Sequence, residues 1–333
     1  MPQPAYNLSG ASVLVTGATG LLGRPLVDAL LTRGANVVGA GMESRPVDFP
    51  VDAEYWSCDL SRAHAWTGQL DEFEFIFHLA GAKGGVGIGQ SSAADFMRGN
   101  LLSTINLLNE LAALKRDVLK RLLFVSSVGA YPGHLSVFDE AGDIWVGKPH
   151  SSDFFGGVAK RTCEALCEAH WEQYGLNYVV VRPTNCFGPF DRFDAKTGMV
   201  IAALIARIEF GENPLVVWGD GSARRDFLYS VDAAEQMIVA MERGGTGEAY
   251  NLGTGYAISI DEVVGHLSKI YPGQKFRYDC MGPSGPNVRL MDMRKLFSLS
   301  VNLRNTHMQF ALEQTINWYR ANKNYAKYDP FKK

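Results

Sequence analysis

TGATGLLG, residues 16–23, decides the fold: Gly17, Gly20 and Gly23 follow one another at intervals of three. Before it, ASVLVTG (11–17) is a short apolar run ending in glycine, the pattern of a strand buried on both faces. After it, LLGRPLVDALLTRG (21–34) carries Leu22, Leu26, Ala29 and Leu30 at helical spacing and closes at Gly34. Glycines at such a junction allow a tight turn and a close backbone approach. The helix start adds free N–H groups and a dipole that favour an anion. Glycine spacing alone is a weak signal; at a first strand-to-helix junction it reads as a dinucleotide pyrophosphate loop built from Gly17, Thr19, Gly20, Leu21, Leu22 and Gly23.

The same alternation continues outward. NVVGAG (36–41), FEFIFHLAG (73–81), RLLFVSSV (121–128) and NYVVVRPTN (177–185) read as strands. Residues 93–114 and AKRTCEALCEAHWEQYG (159–175) read as helices. Strands alternating with helices imply right-handed crossovers and a Rossmann-type, doubly wound parallel α/β sheet. After Pro189 the rhythm changes to a helix (199–210) among turn-rich pieces over 191–230, then two or three more helices around a strand-like FRYD over 258–330. The expectation is a dinucleotide-binding domain over 10–188, returning near 228–256, and a smaller C-terminal α/β domain over 189–227 and 257–325.

Composition excludes several classes. A net charge of -3 gives no reason to expect nucleic acid or an anionic membrane as partner. The start, MPQPAYNLSGAS, lacks a basic stretch followed by an apolar run, and no segment approaches the roughly 20 apolar residues of a span. A cytoplasmic protein is expected. Cys163 and Cys167 are four apart on a helix, but without clustered histidines they read as buried thiols, and no metal is expected.

Asp59 in SCDL (57–60) is placed to accept from an adenine amino group or to cap a turn. Enzymes that prefer NAD usually carry an acid at the end of the second strand. Here Gly41 stands there, followed by Met42, Glu43, Ser44 and Arg45. The nearby Arg45 leans the reading towards NADP, and Glu43 keeps NAD open.

TGATGLLG, CDL, HLAGAKGG, SSVGAYP, the lysine of GGVAKR, RPTNCFGP, WGDGSARRDFLYSVD and YNLGTG together resemble the extended short-chain dehydrogenases that act on nucleotide sugars. The resemblance spans roughly 10–320. HLAGAKGGVGIGQSSAADFMRGN looks most like the GDP-fucose synthase branch, which uses NADPH to reduce and epimerise a 4-keto-6-deoxy GDP-sugar. The resemblance implies a homodimer formed through helices near 93–114 and 158–174. It implies that Leu60, Leu79, Ala80, Gly81, Lys160 and Pro183 complete the cofactor site. It also implies that Lys83, Asn185, Met199, Arg207, Trp218, Arg225 and Arg289 line the substrate site, with arginine forks on the diphosphate.

The family's proton relay is a tyrosine four residues before a lysine, assisted by a serine. The lysine is Lys160 and the serine Ser127, with Ser126 adjacent; the tyrosine's place holds Gly156. Gly129 and Met199 stand where the fucose synthases carry a proton-shuttling cysteine and histidine. Deleting a phenol is expected to leave polar space for water. The resemblance implies that Tyr131 faces the substrate, so water or Tyr131 is the candidate replacement donor, while His150 and Asp153, just ahead of the altered motif, read as solvated loop residues. The expected activity is therefore a nucleotide-sugar epimerase or reductase with an atypical site. A binding protein without turnover is the alternative, and an NAD-dependent dehydratase ranks third.

Overall fold

The computed structural model describes residues 5–66, 69–81, 92–114, 118–195, 197–281, 287–300 and 302–323. The chain runs through β1 (Ser12–Thr16), α1 (Gly23–Thr32), β2 (Asn36–Gly41), β3 (Glu54–Ser57), β4 (Phe75–His78), α2 (Ala93–Ala113) and β5 (Arg121–Val125). Then come β6 (Val137–Phe138), α3 (Phe154–Tyr174), β7 (Tyr178–Pro183), β8 (Asn185–Phe187), α4 (Val200–Glu209), β9 (Leu215–Trp218) and β10 (Arg224–Tyr229). It closes with α5 (Ser230–Arg243), β11 (Ala249–Leu252), β12 (Ala257–Ser259), α6 (Ile260–Ile270), β13 (Phe276–Asp279), β14 (Val288–Met291), α7 (Arg294–Leu299) and α8 (Met308–Ala321).

The main sheet has seven strands in the order β11-β7-β5-β4-β1-β2-β3, every neighbour parallel. Strands β5 and β7 are buried at every position, which is why they read as unbroken apolar runs. Alternate side chains serve opposite faces. Val13, Phe75, Leu123 and Val179 join the core containing Leu26, Leu30 and Met237 of α1 and α5. Leu14, Ile76, Leu122 and Val180 join the core containing Leu107 and Cys163 of α2 and α3. The order reverses between β1 and β4, and a crevice at such a switch point is where this fold binds ligands.

A second sheet runs β12-β10-β14-β6, with β8 also pairing β10, and β9 pairs β13 separately. These pieces surround another core built on Ile205, Leu215, Val263 and Leu312.

Helix α3 begins at Phe154, five residues before its expected start, so Gly156 and Gly157 lie in its first turn. Propensity argues against two glycines there. Packing overrides it: a Cβ on Gly157 would stand 2.1 Å from the Gly129 carbonyl oxygen. Arg161 then fastens helix to loop, donating to the carbonyls of Ala130 (2.6 Å) and Gly147 (2.8 Å).

Candidate active site

The glycine loop opens onto the switch point. Gly17 has φ +67°, and a Cβ on it would lie 3.1 Å from the Ala80 nitrogen. A Cβ on Gly81 would lie 2.5 Å from Asn100 Oδ1 and 3.4 Å from Lys160 Nζ. Side chains at these positions would fill the cradle between β1 and β4. The residues present therefore fit a dinucleotide laid across those strand ends.

Around the loop, Thr19 donates to Glu43 Oε1 at 2.5 Å, which holds a carboxylate just past the end of β2. Arg45 turns away into its own loop, donating to the carbonyls of Ala53 (2.9 Å) and Pro50 (2.7 Å). Asp59 accepts from the Ser61 backbone (3.0 Å), the Ser61 hydroxyl (2.7 Å) and Arg62 Nε (3.2 Å), so it caps its own turn. Leu21 and Leu60 are buried, Leu22, Leu79 and Ala80 are half-buried, and Pro183 ends β7.

Beneath the loop lies His78. Thr16 Oγ1 accepts from the Leu79 and Ala80 backbones (3.1 and 3.0 Å), so its proton goes to His78 Nδ1 at 2.9 Å. Thr104 Oγ1 donates to the Asn100 carbonyl and so accepts from His78 Nε2 at 3.2 Å. The ring is thus neutral and fully bonded. Burial, then the Lys160 charge, pushes its pKa down to about 3 from 6.5. The unfolded chain takes up this proton near pH 6.5 and the folded chain does so only near 3, so acid favours unfolding. Between pH 6.5 and 5 His78 should remove about 2 kcal/mol of stability, at roughly 1.4 kcal/mol per pH unit. Urea unfolding of the wild type and His78→Asn checks this. Equal pH slopes for the two proteins would refute it.

Lys160 Nζ donates to the Val125 carbonyl at 2.9 Å and lies 5.1 Å from the Phe124 ring centre. Burial lowers its pKa, and Cys163 and Glu164 oppose that shift. The lysine is thus held at the carboxyl end of β5, two residues from Ser127. Ser127 Oγ accepts from the Gly129 backbone at 3.1 Å, leaving its own proton to donate.

Tyr131 and Ser126 do not join them. Tyr131 is 2% exposed, stacks on Phe138 and donates to Asn251 Oδ1 at 2.8 Å. Arg182 donates to its hydroxyl at 3.1 Å, and burial raises its pKa far above the ordinary phenol. Ser126 donates to Glu164, whose carboxylate also takes the Arg182 fork at 3.1 and 2.7 Å. Both residues belong to a buried network that ties α3 to β7 and β11. This corrects the expectation that Tyr131 faces the substrate.

Another cluster stands in front. Arg225 and Arg289 are paired in register on β10 and β14, and Asp153 is bonded to Arg289. Burial, then the charge of Arg289, pushes the Arg225 pKa down to about 10. His150 Nδ1 accepts from the Ser152 backbone at 3.2 Å and meets its hydroxyl at 2.8 Å. Burial, then Arg289, lowers the His150 pKa. A cavity of about 10 Å³, the size of one water, is bounded by Gly129, Pro132, His150, Asp153 and Arg289. The pairing of Asp153 with Arg289, 136 residues away, carries no local sequence signal.

At Gly156 the expected water space is taken. A Cβ there would stand 2.9 Å from Cε1 of Phe96, on α2. Asn185 donates to the Asp226 carbonyl at 3.2 Å, Met199 precedes α4, and Trp218 is exposed at the end of β9. Arg207 is bound to Glu212 rather than turned to the Arg225 cluster. Lys83 lies outside the described residues. Cys163 and Cys167 are buried among apolar side chains.

A glycine cradle at the switch point of a doubly wound parallel sheet defines a Rossmann-type α/β fold. The family model for the NAD dependent epimerase/dehydratase family matches residues 13–253, and the chain belongs to that family. It is 30% identical over 324 residues to GDP-L-fucose synthase 1 of Arabidopsis thaliana, covering 94% of each chain. It is 27% identical over 332 residues to the dTDP-4-dehydro-6-deoxy-D-allose reductase of a Streptomyces species, covering 96% of this chain and 99% of that one. A UDP-glucose 4-epimerase structure from Thermotoga maritima, with UDP-glucose, superposes with TM-score 0.80 at 25% identity, covering 94% of this chain and 99% of that one.

Proposed function

We propose that this protein is an NAD-dependent nucleotide-sugar reductase or epimerase acting on a keto-deoxysugar, GDP-linked, with Arg225 and Arg289 receiving the diphosphate. The observation that carries this is that Lys160 is bonded to Val125, two residues before Ser127, while Ser127 and the Arg289-bound Asp153 both border Gly129. Bound in the glycine cradle, the dinucleotide supplies reversible two-electron transfer. Lys160 contributes a fixed positive charge where the sugar oxygen gains negative charge. Ser127 donates its free proton to the same oxygen. The arginine pair anchors the phosphates by charge-assisted bonds.

Glu43, held by Thr19 past the end of β2, supports NAD, because a carboxylate there suits the ribose hydroxyls and repels a 2′-phosphate. Arg45, engaged by Pro50 and Ala53, is the side chain on which a preference for NADP would rest, and its engagement supports NAD as the first cofactor to test. The GDP-L-fucose synthase likeness supports GDP, and the dTDP-sugar reductase likeness makes dTDP the base to test against it. Helices α2 and α3, which pack on each other, are the proposed homodimer surface.

The test mixes the protein with NADH or NADPH and a GDP- or dTDP-linked 4-keto-6-deoxy sugar. NADH oxidation is expected, with Lys160→Met slower by about 10²-fold or more. No cofactor oxidation and no change in sugar stereochemistry with either base would overturn the reading. One observation favours a second reading, a binding protein without turnover: the Phe96 ring lies where a side chain at 156 would point. That reading predicts binding by calorimetry in the same mixtures, with no product.

A further inference from the structure

Two guanidinium groups side by side in register repel unless an anion joins them. Arg225 and Arg289 are so placed, and the anion in the structure is the Asp153 carboxylate on Arg289. The pair is asymmetric. The Arg289 side chain is 10% exposed and rooted in a strand, whereas the Asp153 side chain is 31% exposed. Asp153 is the N-cap residue of α3 yet makes no capping bond with its side chain. Its carboxylate has no other hydrogen-bond partner among the described residues, so it can leave Arg289 without breaking another hydrogen bond.

Asp153 and Ser127 both lie against Gly129. A Cβ built on Gly129 would lie 3.3 Å from Asp153 Cβ, 3.8 Å from Asp153 Cγ and 3.5 Å from Ser127 Oγ. The acid and the serine thus border the same gap over Gly129. A rotation about the first side-chain torsion of Asp153 would turn its carboxylate from Arg289 towards that gap.

We propose that Asp153 is an internal substitute for the substrate's phosphate on Arg289, displaced by the arriving diphosphate and turned towards Ser127 as the proton acceptor. When a sugar hydroxyl is oxidised, its proton would pass to Ser127 Oγ while the Ser127 proton passes to the Asp153 carboxylate, the hydride going to the bound dinucleotide; when a sugar ketone is reduced, the displaced carboxylate would first take a proton from solvent and the same transfers run in reverse. The site thereby gains an acceptor when the sugar is in place, a duty that nothing at position 156 can perform. This rests on reading the arginine pair as the diphosphate site.

The test separates the two ideas. Inorganic pyrophosphate and GDP are titrated calorimetrically, without cofactor, into wild type, Asp153→Asn and Arg289→Ala. Asp153→Asn, which keeps the side chain's shape, should bind both anions about 3–10-fold more tightly, because the competing charge is gone. Arg289→Ala should bind them at least about 10-fold more weakly. In turnover of the GDP-linked 4-keto-6-deoxy sugar, Asp153→Asn should show a lower KM and a kcat reduced by about 10²-fold. A purely structural role would not move affinity and kcat in opposite directions. Unchanged or weaker pyrophosphate binding by Asp153→Asn overturns the proposal, as does tighter binding with kcat unchanged. If pyrophosphate and GDP bind wild type and Arg289→Ala alike, the diphosphate reading itself fails and the proposal falls with it.

Discussion

Alanine at Gly23 is expected to cost the protein its dinucleotide, with NAD affinity falling by about 10²-fold. A Cβ there would stand 2.1 Å from the Gly17 carbonyl oxygen and 2.8 Å from Ala18 Cα. Both obstacles are backbone, so neither can rotate aside. Overpacking commonly costs about 1–3 kcal/mol, and a rigid obstacle takes the upper end. Relief requires the helix start to move off the loop, which spoils the N–H array that faces the pyrophosphate. About 3 kcal/mol corresponds to roughly 10²-fold in affinity. Gly20→Ala is the control, because its Cβ meets only the Gly17 oxygen at 3.3 Å. Calorimetric titration with NAD checks both substitutions. If Gly23→Ala binds within about 3-fold of wild type, the glycines are not holding a cradle of this shape.

That position also shows what the sequence makes legible. The close approach of Gly23 to Gly17 is local, and local spacing carries it. Strands β1, β2, β4, β5 and β7 are legible for a related reason: buried parallel strands read as apolar runs. Strand β3 is not, because EYWS is half exposed and shows no such run. The start of α3 hides behind its glycines, whose role is set by the Gly129 carbonyl rather than by propensity. Within the site, Lys160 and Ser127 come from the resemblance to the short-chain dehydrogenases. The fates of Tyr131 and Arg45 depend on partners that spacing does not name. Tyr131 is turned inward by Asn251 and Arg182, and Arg45 is captured by two carbonyls a few residues on. Polar side chains follow the partners the fold supplies, so their direction is the part that needs the structure.

Tyrosine at position 156 is expected to do little alone and much in company. Residue 156 lies one helical turn before Lys160 on α3, so a phenol there would sit beside a buried cation that lowers its pKa. General acid–base catalysis by such a group contributes about 10²–10⁴-fold. The obstacle is Phe96, whose Cε1 would stand 2.9 Å from the new Cβ. Gly156→Tyr by itself forces one of the two rings aside, and turnover should stay within about 3-fold of wild type, well short of a catalytic group's contribution. Gly156→Tyr with Phe96→Ala should raise kcat by about 10²-fold or more, the phenol taking the space that the phenyl ring leaves. Phe96→Ala alone should lower stability by about 1–3 kcal/mol without a gain in rate. The four proteins form a double-mutant cycle, and the coupling is read from kcat as well as from urea unfolding. If the single tyrosine variant already matches the double, Phe96 is not the obstacle. If neither gains, proton transfer is not what the glycine removed.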